Sequence, residues 1–257
     1  MATIITIGTQ KGGVGKSTTA GALTAGLTLK GYKTLCIDLD PQTNMTATVA
    51  GLKILADKTP SSYEVITDRV SATDAVIQTS RGDIIKGSEN LIKVESEITE
   101  TGREYRLKEA LADIQKSYDF IVIDTPPSLG ILLINALASS DYLIIPTLTD
   151  LYCLQAIGQL YKTVQVVQAY CNKDLRIAGL LITQHNGRVI VNKDVAKRIT
   201  KTAEQIGTKV FDTIIRYSTV FREATVRQRD IITYSPRSKP AQDYVCLVDE
   251  VIERCRK

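Results

Sequence analysis

The chain has one histidine, few aromatic residues (5%), and no two cysteines in a Cys-x-x-Cys spacing. Its five cysteines, Cys36, Cys153, Cys171, Cys246 and Cys255, are scattered. An odd count without metal-ligand spacing reads as reduced, mostly buried thiols rather than a disulfide framework or an iron–sulfur centre. His185 has no second histidine to pair with, so it is read as a surface or loop residue and not a metal ligand. No stretch approaches the roughly 18 consecutive apolar residues of a membrane span. The short apolar run after Met1 has no basic region before it, which argues against an export signal. Internal repeats, low-complexity blocks and linkers rich in Pro, Gly or Ser are also missing. What is present, 257 residues at 44% hydrophobic and 23% charged, excludes a disordered or collagen-like chain. The expectation is one cytoplasmic domain over residues 1–257.

Apolar runs of strand length alternate with segments of helical period. Strands are predicted at Thr3–Ile7, Thr34–Leu39, Leu91–Val94, Phe120–Ile123, Tyr142–Ile145, Ile177–Ile182 and Val210–Ile215. Several are apolar at consecutive positions, as expected for strands covered on both faces. Helices are predicted near 16–30, 104–116, 129–138, 151–170, 190–206 and 239–254. The alternation predicts an α/β fold: a doubly wound, mostly parallel sheet with helices on both faces.

The strongest motif follows the first strand: Gln10-Lys11-Gly12-Gly13-Val14-Gly15-Lys16-Ser17-Thr18. Glycines let backbone N–H groups turn inward around phosphate oxygens, a lysine reaches the β and γ phosphates, and a hydroxyl ligates Mg²⁺. The helix that starts near Lys16 aims its positive end at the same anion. Gly12, Gly13, Val14, Gly15, Lys16, Ser17 and Thr18 are therefore the candidate nucleotide-binding residues, with ATP and Mg²⁺ as ligands. The second strand ends in Asp38-Leu39-Asp40-Pro41-Gln42, at the edge where doubly wound sheets bind ligands. Phe120-Ile121-Val122-Ile123-Asp124 has the form of a Walker B strand, whose carboxylate holds the magnesium shell near Ser17. The candidate metal residues are thus Ser17, Asp38 and Asp124.

The loop departs from the general pattern, with Gln10 in place of the first glycine and an added Lys11. The form Lys-Gly-Gly-x-Gly-Lys-Ser resembles the deviant Walker A ATPases, which include the ParA partition proteins, MinD and the nitrogenase iron protein. Asp38-Leu39-Asp40-Pro41-Gln42 is similar to the ParA switch I, Asp124-Thr125-Pro126-Pro127-Ser128 to switch II, and Tyr234-Ser235-Pro236-Arg237-Ser238 to the family's Tyr-Asp-Pro-x-Ser. The chain looks like the short ParA class, without an N-terminal helix-turn-helix domain. The resemblance implies that Lys11 reaches across an ATP-dependent homodimer to the nucleotide of the other subunit, and that Asp40 orients the attacking water. With Lys16, these are the candidate catalytic residues.

From Arg188 to Lys239 there are 12 Lys/Arg against 5 Asp/Glu, an excess larger than the +4 of the whole chain. Such clustering suits sequence-independent phosphate contacts. In short ParA proteins this region binds DNA non-specifically, which makes Arg216, Arg222, Arg227 and Arg229 the candidate DNA residues, with Lys197 and Arg198 weaker. The resemblance also implies a ParB-type centromere-binding partner that stimulates hydrolysis, on the nucleoid and away from membranes. Where the family has Ile-Pro-Arg this chain has Ile215-Arg216-Tyr217, which leaves Thr183 and Ile215 as guesses for the adenine wall. The alternative is a MinD-like, membrane-associated positioning ATPase, which would need an amphipathic anchor beyond the closing helix.

Overall fold

The computed structural model describes residues 1–186 and 190–255. Seven strands, β1 (Thr3–Ile7), β2 (Thr34–Asp38), β3 (Val76–Ile77), β4 (Asp83–Ile85), β5 (Phe120–Asp124), β6 (Tyr142–Thr147) and β7 (Arg176–Ile182), form one sheet. Their order is β3-β4-β2-β5-β1-β6-β7. The β3–β4 pair is antiparallel; the other pairs are parallel. Strands β1, β2 and β5 are buried at every position, because helices cover both faces and each second residue faces a different helical layer. One layer joins Ile5, Ile7, Leu23 and Leu27 to Tyr244, Leu247, Val248 and Val251. The opposite layer packs Ile4, Ile37 and Ile121 on Leu107 and Leu111, and Leu143 and Ile145 on Ile157, Leu160 and Val164.

Register sets the site. Ile7 and Asp38 both pair with Asp124, so the ends of β1, β2 and β5 deliver the glycine loop and two carboxylates at one level. The 16–29 helix returns from that level against the 239–255 helix. Gly26 makes the close approach: a Cβ there would stand 2.5 Å from Val248 Cγ2.

Five of the seven predicted strands are found, along with five of the six predicted helices; the one expected near 104–116 is broken into a short helix, Arg106–Leu111, between two 3-10 turns, and two strand expectations fail. Residues Leu91–Val94 do not form a strand. They lie in a 3-10 turn, Glu89–Lys93, running into a short helix, Val94–Glu97. The Ser88 side chain accepts from Asn90 N and starts the turn, and Leu91, Val94 and Ile98 bury one helical face against Tyr63 and Ile131. The spacing there is three to four, not two. Residues Val210–Ile215 run beside β7 through bonds such as Phe211 N to Leu180 O and Ile215 N to Ile182 O, both 2.9 Å. No ladder forms between them, because the Glu250 carboxylate takes the N–H groups of Asp212 (2.8 Å) and Thr213 (3.0 Å). The other side of the sheet ends in two short strands that the sequence reading missed, β4, three residues long, and β3, two residues long at the edge.

Candidate nucleotide site and basic surface

The glycine loop joins β1 to the 16–29 helix. Gly13 and Gly15 have φ of 72° and 85°, a left-handed conformation that side chains resist, and nothing lies within 4 Å of a Cβ built on either. Open space therefore lies beside the loop at both glycines. It is pinned from β7: Thr183 Oγ1 donates to the Val14 carbonyl (2.8 Å) and Gln184 Nε2 to the Gly13 carbonyl (2.6 Å). Lys16 is almost fully buried, and its ammonium donates to the Lys11 carbonyl at 3.3 Å. Burial lowers the Lys16 pKa against the attraction of Asp124 and Asp40.

Asp124 is fully buried, and neither of its oxygens has a partner in hydrogen-bonding geometry. Burial and the neighbouring Asp38 push its pKa well above the usual carboxylate range, while the nearby Ser17 side chain and Lys16 favour the charged form. A buried carboxylate with no partner requires a cation or donor to complete it. Magnesium fits: a hard oxygen donor without a geometric partner stands near the Ser17 hydroxyl and the Lys16 ammonium at the glycine loop.

Asp38 stands differently. Its oxygens accept from Asp40 N (3.0 Å), Thr46 N (2.9 Å) and Thr46 Oγ1 (2.7 Å). Burial outweighs those bonds and raises its pKa to about 6. Asp38 thus braces the following loop from within the protein. Asp40, also buried, accepts from Gln42 N at 2.9 Å.

Lys11 is tied within its own chain. It pairs with Asp150, donates to Cys153 Sγ at 3.5 Å and lies over the Tyr152 ring. Partial burial opposes its charge, but Asp150 more than offsets this and raises its pKa. Asp150 also caps the 151–170 helix by accepting from Cys153 N at 3.0 Å.

Beside Gly15 and Thr18 opens a pocket of about 190 Å³, walled by Thr183, Ile215, Tyr217, Phe221, Arg222 and Tyr244. The two residues guessed for an adenine wall, Thr183 and Ile215, both line it. Tyr244 shares a hydrogen bond of 3.0 Å with Thr19 of the glycine-loop helix. A second cleft, about 560 Å³, lies on the far side of the Asp40 loop between Thr43, Glu64 and Lys86.

The four candidate DNA residues fall into three environments. Arg216 grips Asp243 through two bonds, 2.7 and 2.6 Å, so its charge is already balanced. Arg222 lines the 190 Å³ pocket. Arg227 and Arg229 are exposed on the turn after the 220–226 helix. Lys197 and Arg198 are exposed on the 190–205 helix, and Arg188 lies outside the described residues. Asp150, Thr46, Gln184 and Tyr244 were missed in the sequence; Asp150, Gln184 and Tyr244 act through partners more than 100 residues away, and no local motif marks any of the four.

A glycine cradle at the end of β1, a buried lysine and an orphaned Walker B carboxylate on a parallel sheet define a P-loop nucleotide-binding protein. Residues 2–177 match the AAA domain family. The chain is 39% identical over 255 residues to the sporulation initiation inhibitor protein Soj of Bacillus subtilis, covering 98% of each chain. It is 33% identical over 255 residues to the chromosome partitioning protein ParA of Myxococcus xanthus, with 98% and 88% covered. The chain belongs to the ParA family. Among solved structures, a putative plasmid partition protein of Borrelia burgdorferi bound to AMPPNP superposes with a TM-score of 0.80 at 26% identity, covering 99% and 98%. Cobyrinic acid a,c-diamide synthase of Mycobacterium smegmatis, with bound ATP analogue and magnesium, gives 0.80 at 29%, covering 97% and 93%.

Proposed function

We propose that this chain is a one-domain, Mg²⁺-dependent DNA partition ATPase that acts in the cytoplasm on the nucleoid. Its ATP-bound homodimer binds DNA non-specifically, and a ParB-type partner stimulates hydrolysis of ATP and water to ADP and phosphate. The observation that carries this reading is the orphaned Asp124 beside Ser17 and Lys16 at the open glycine cradle. Gly12 to Thr18 bind the triphosphate, and Lys16 neutralises it. Magnesium, held through Ser17 and Asp124, supplies charge neutralisation on the phosphates, while Asp38 holds the loop that presents Asp40. Asp40 accepts a hydrogen bond from the attacking water and aligns it. Lys11 of each subunit leaves Asp150 to meet the other subunit's γ phosphate, which makes dimerisation depend on ATP.

Two weak basic surfaces joined in a dimer bind one DNA far better than either alone. Arg227 and Arg229 carry that surface, with Arg222 nearer the nucleotide and Arg216 committed to Asp243. The MinD-like alternative is disfavoured. The 239–255 helix spends its apolar face, Tyr244, Leu247, Val248 and Val251, on the core, so that face is not free to lie on a membrane surface.

The test is mass by light scattering and DNA affinity, each measured with ADP, ATP and AMPPNP at two salt concentrations. A dimer with salt-sensitive DNA binding in AMPPNP is expected. A chain that stays monomeric in AMPPNP and Mg²⁺ overturns the reading.

A further inference from the structure

The turn that carries Arg227 and Arg229 is fastened to the segment that follows the Asp40 loop. Gln228, between the two arginines, has φ of 54°, a left-handed conformation that a side-chain-bearing residue keeps only where its surroundings over-determine it. Its Oε1 accepts the backbone N–H of Leu52 at 2.9 Å. Its carbonyl accepts from Arg81 Nη1 at 3.3 Å, and the same nitrogen holds the Thr48 carbonyl at 2.9 Å. Gly51 lies directly under this contact, with φ of 83° and a Cβ position 3.4 Å from Gln228 Oε1.

Each side of this junction leads back to the nucleotide site. Thr48 and Thr46 share the 44–50 helix, and Thr46 donates to the Asp38 carboxylate that also holds the Asp40 N–H. On the other side, the turn continues the 220–226 helix, whose Phe221 and Arg222 wall the pocket beside Gly15. A ligand that shifts the Asp40 loop or fills that pocket acts on a turn held from both directions, and such a differential contact is what coupling requires.

We propose that Gln228 is a positioning residue: through Leu52 it sets the Arg227–Arg229 turn according to the state of the Asp40 loop, and so makes DNA affinity follow the nucleotide. This rests on the DNA reading given above.

Two substitutions cut the same bond from opposite ends. Gln228→Ala removes the acceptor. Leu52→Pro removes the donor at the first position of a short 3-10 helix, where proline is tolerated, after a glycine whose ψ of 158° suits the residue before proline. Neither touches an arginine or a residue of the glycine cradle. DNA affinity is measured by anisotropy in ADP and in AMPPNP for the wild type, both single variants and the double variant, alongside nucleotide affinity. Each single variant is expected to shrink the AMPPNP-to-ADP affinity ratio about threefold to tenfold, the net worth of one hydrogen bond. The double variant should shrink it no further, and nucleotide affinity should hold. Gln228→Glu keeps an acceptor, so it should keep the ratio while its negative charge lowers DNA affinity in both nucleotides.

An unchanged ratio in both single variants overturns the proposal, as does equal weakening in ADP and AMPPNP, which would mark a purely structural role. A wild-type ratio of one refutes the DNA reading itself, and the coupling with it.

Discussion

Asp124 is an unusual expense in the empty protein, and replacing it with asparagine should make that protein more stable while ruining its chemistry. The carboxylate is fully buried without a partner, and its pKa is raised by burial and then by Asp38. A group whose folded pKa lies above its unfolded value, near 3.9 for aspartate, contributes stability that is complete below that value and lost as pH rises through the folded pKa. As pH rises, without metal or nucleotide, the wild type meets the cost of ionising Asp124 in a buried site, offset only in part by Ser17 and Lys16, and Asp124→Asn avoids that cost. Relief of one buried unsatisfied polar group is worth about 1–3 kcal/mol, or roughly 2–12 °C in Tm for a chain of this size. Asp38, with a pKa raised to about 6, adds its own loss of stability between about pH 4 and 6 in both proteins.

The assay is thermal unfolding in EDTA from pH 4 to 8, then with Mg²⁺ and AMPPNP. The variant should melt higher at pH 8, with the gain shrinking toward pH 4. Ligand should raise the wild type's Tm much more than the variant's. A variant that melts lower at pH 8, or a gain independent of pH, refutes the reasoning.

Lys11→Met should leave Tm within a few degrees, since a partly exposed ion pair is worth about 0–1 kcal/mol, yet abolish the AMPPNP-dependent dimer seen by light scattering; an intact dimer refutes its role in trans. Arg227→Glu and Arg229→Glu should each lower the salt slope of DNA binding by about one per subunit, whereas Arg216→Glu sets a carboxylate against Asp243 and should lower Tm. Gly26→Ala should cost about 1–3 kcal/mol from the clash with Val248, despite a gain of about 1 kcal/mol in helix propensity. Adding Val248→Ala should restore part of that loss, read by denaturant unfolding.

The placement of the glycine loop between a strand and a helix, and of Asp124 at a strand end, could be read directly, because the motif is contiguous and has a fixed spacing beside a strand end. The central strands were legible for a related reason: burial on both faces leaves an unbroken apolar run. Leu91–Val94 misled because four residues are too few to separate a period of two from one of three to four. Val210–Ile215 has strand composition, but Glu250, far along the chain, takes the N–H groups a ladder would use. The basic count from Arg188 to Lys239 located a charged region but not its free charges, since Asp243 claims Arg216. Which cations remain available depends on tertiary neighbours that no local pattern encodes.

The Tyr244 wall of the pocket beside Gly15 also has a consequence for synthesis. The bond from Thr19 to Tyr244 spans 225 residues, so the glycine loop leaves the ribosome roughly 10–45 s before its last wall at about 5–20 residues per second. Throughout that interval the nascent chain carries a phosphate loop with one side missing. A copy still being translated has an unfinished pocket beside its glycine loop until the 239–255 helix has emerged and docked.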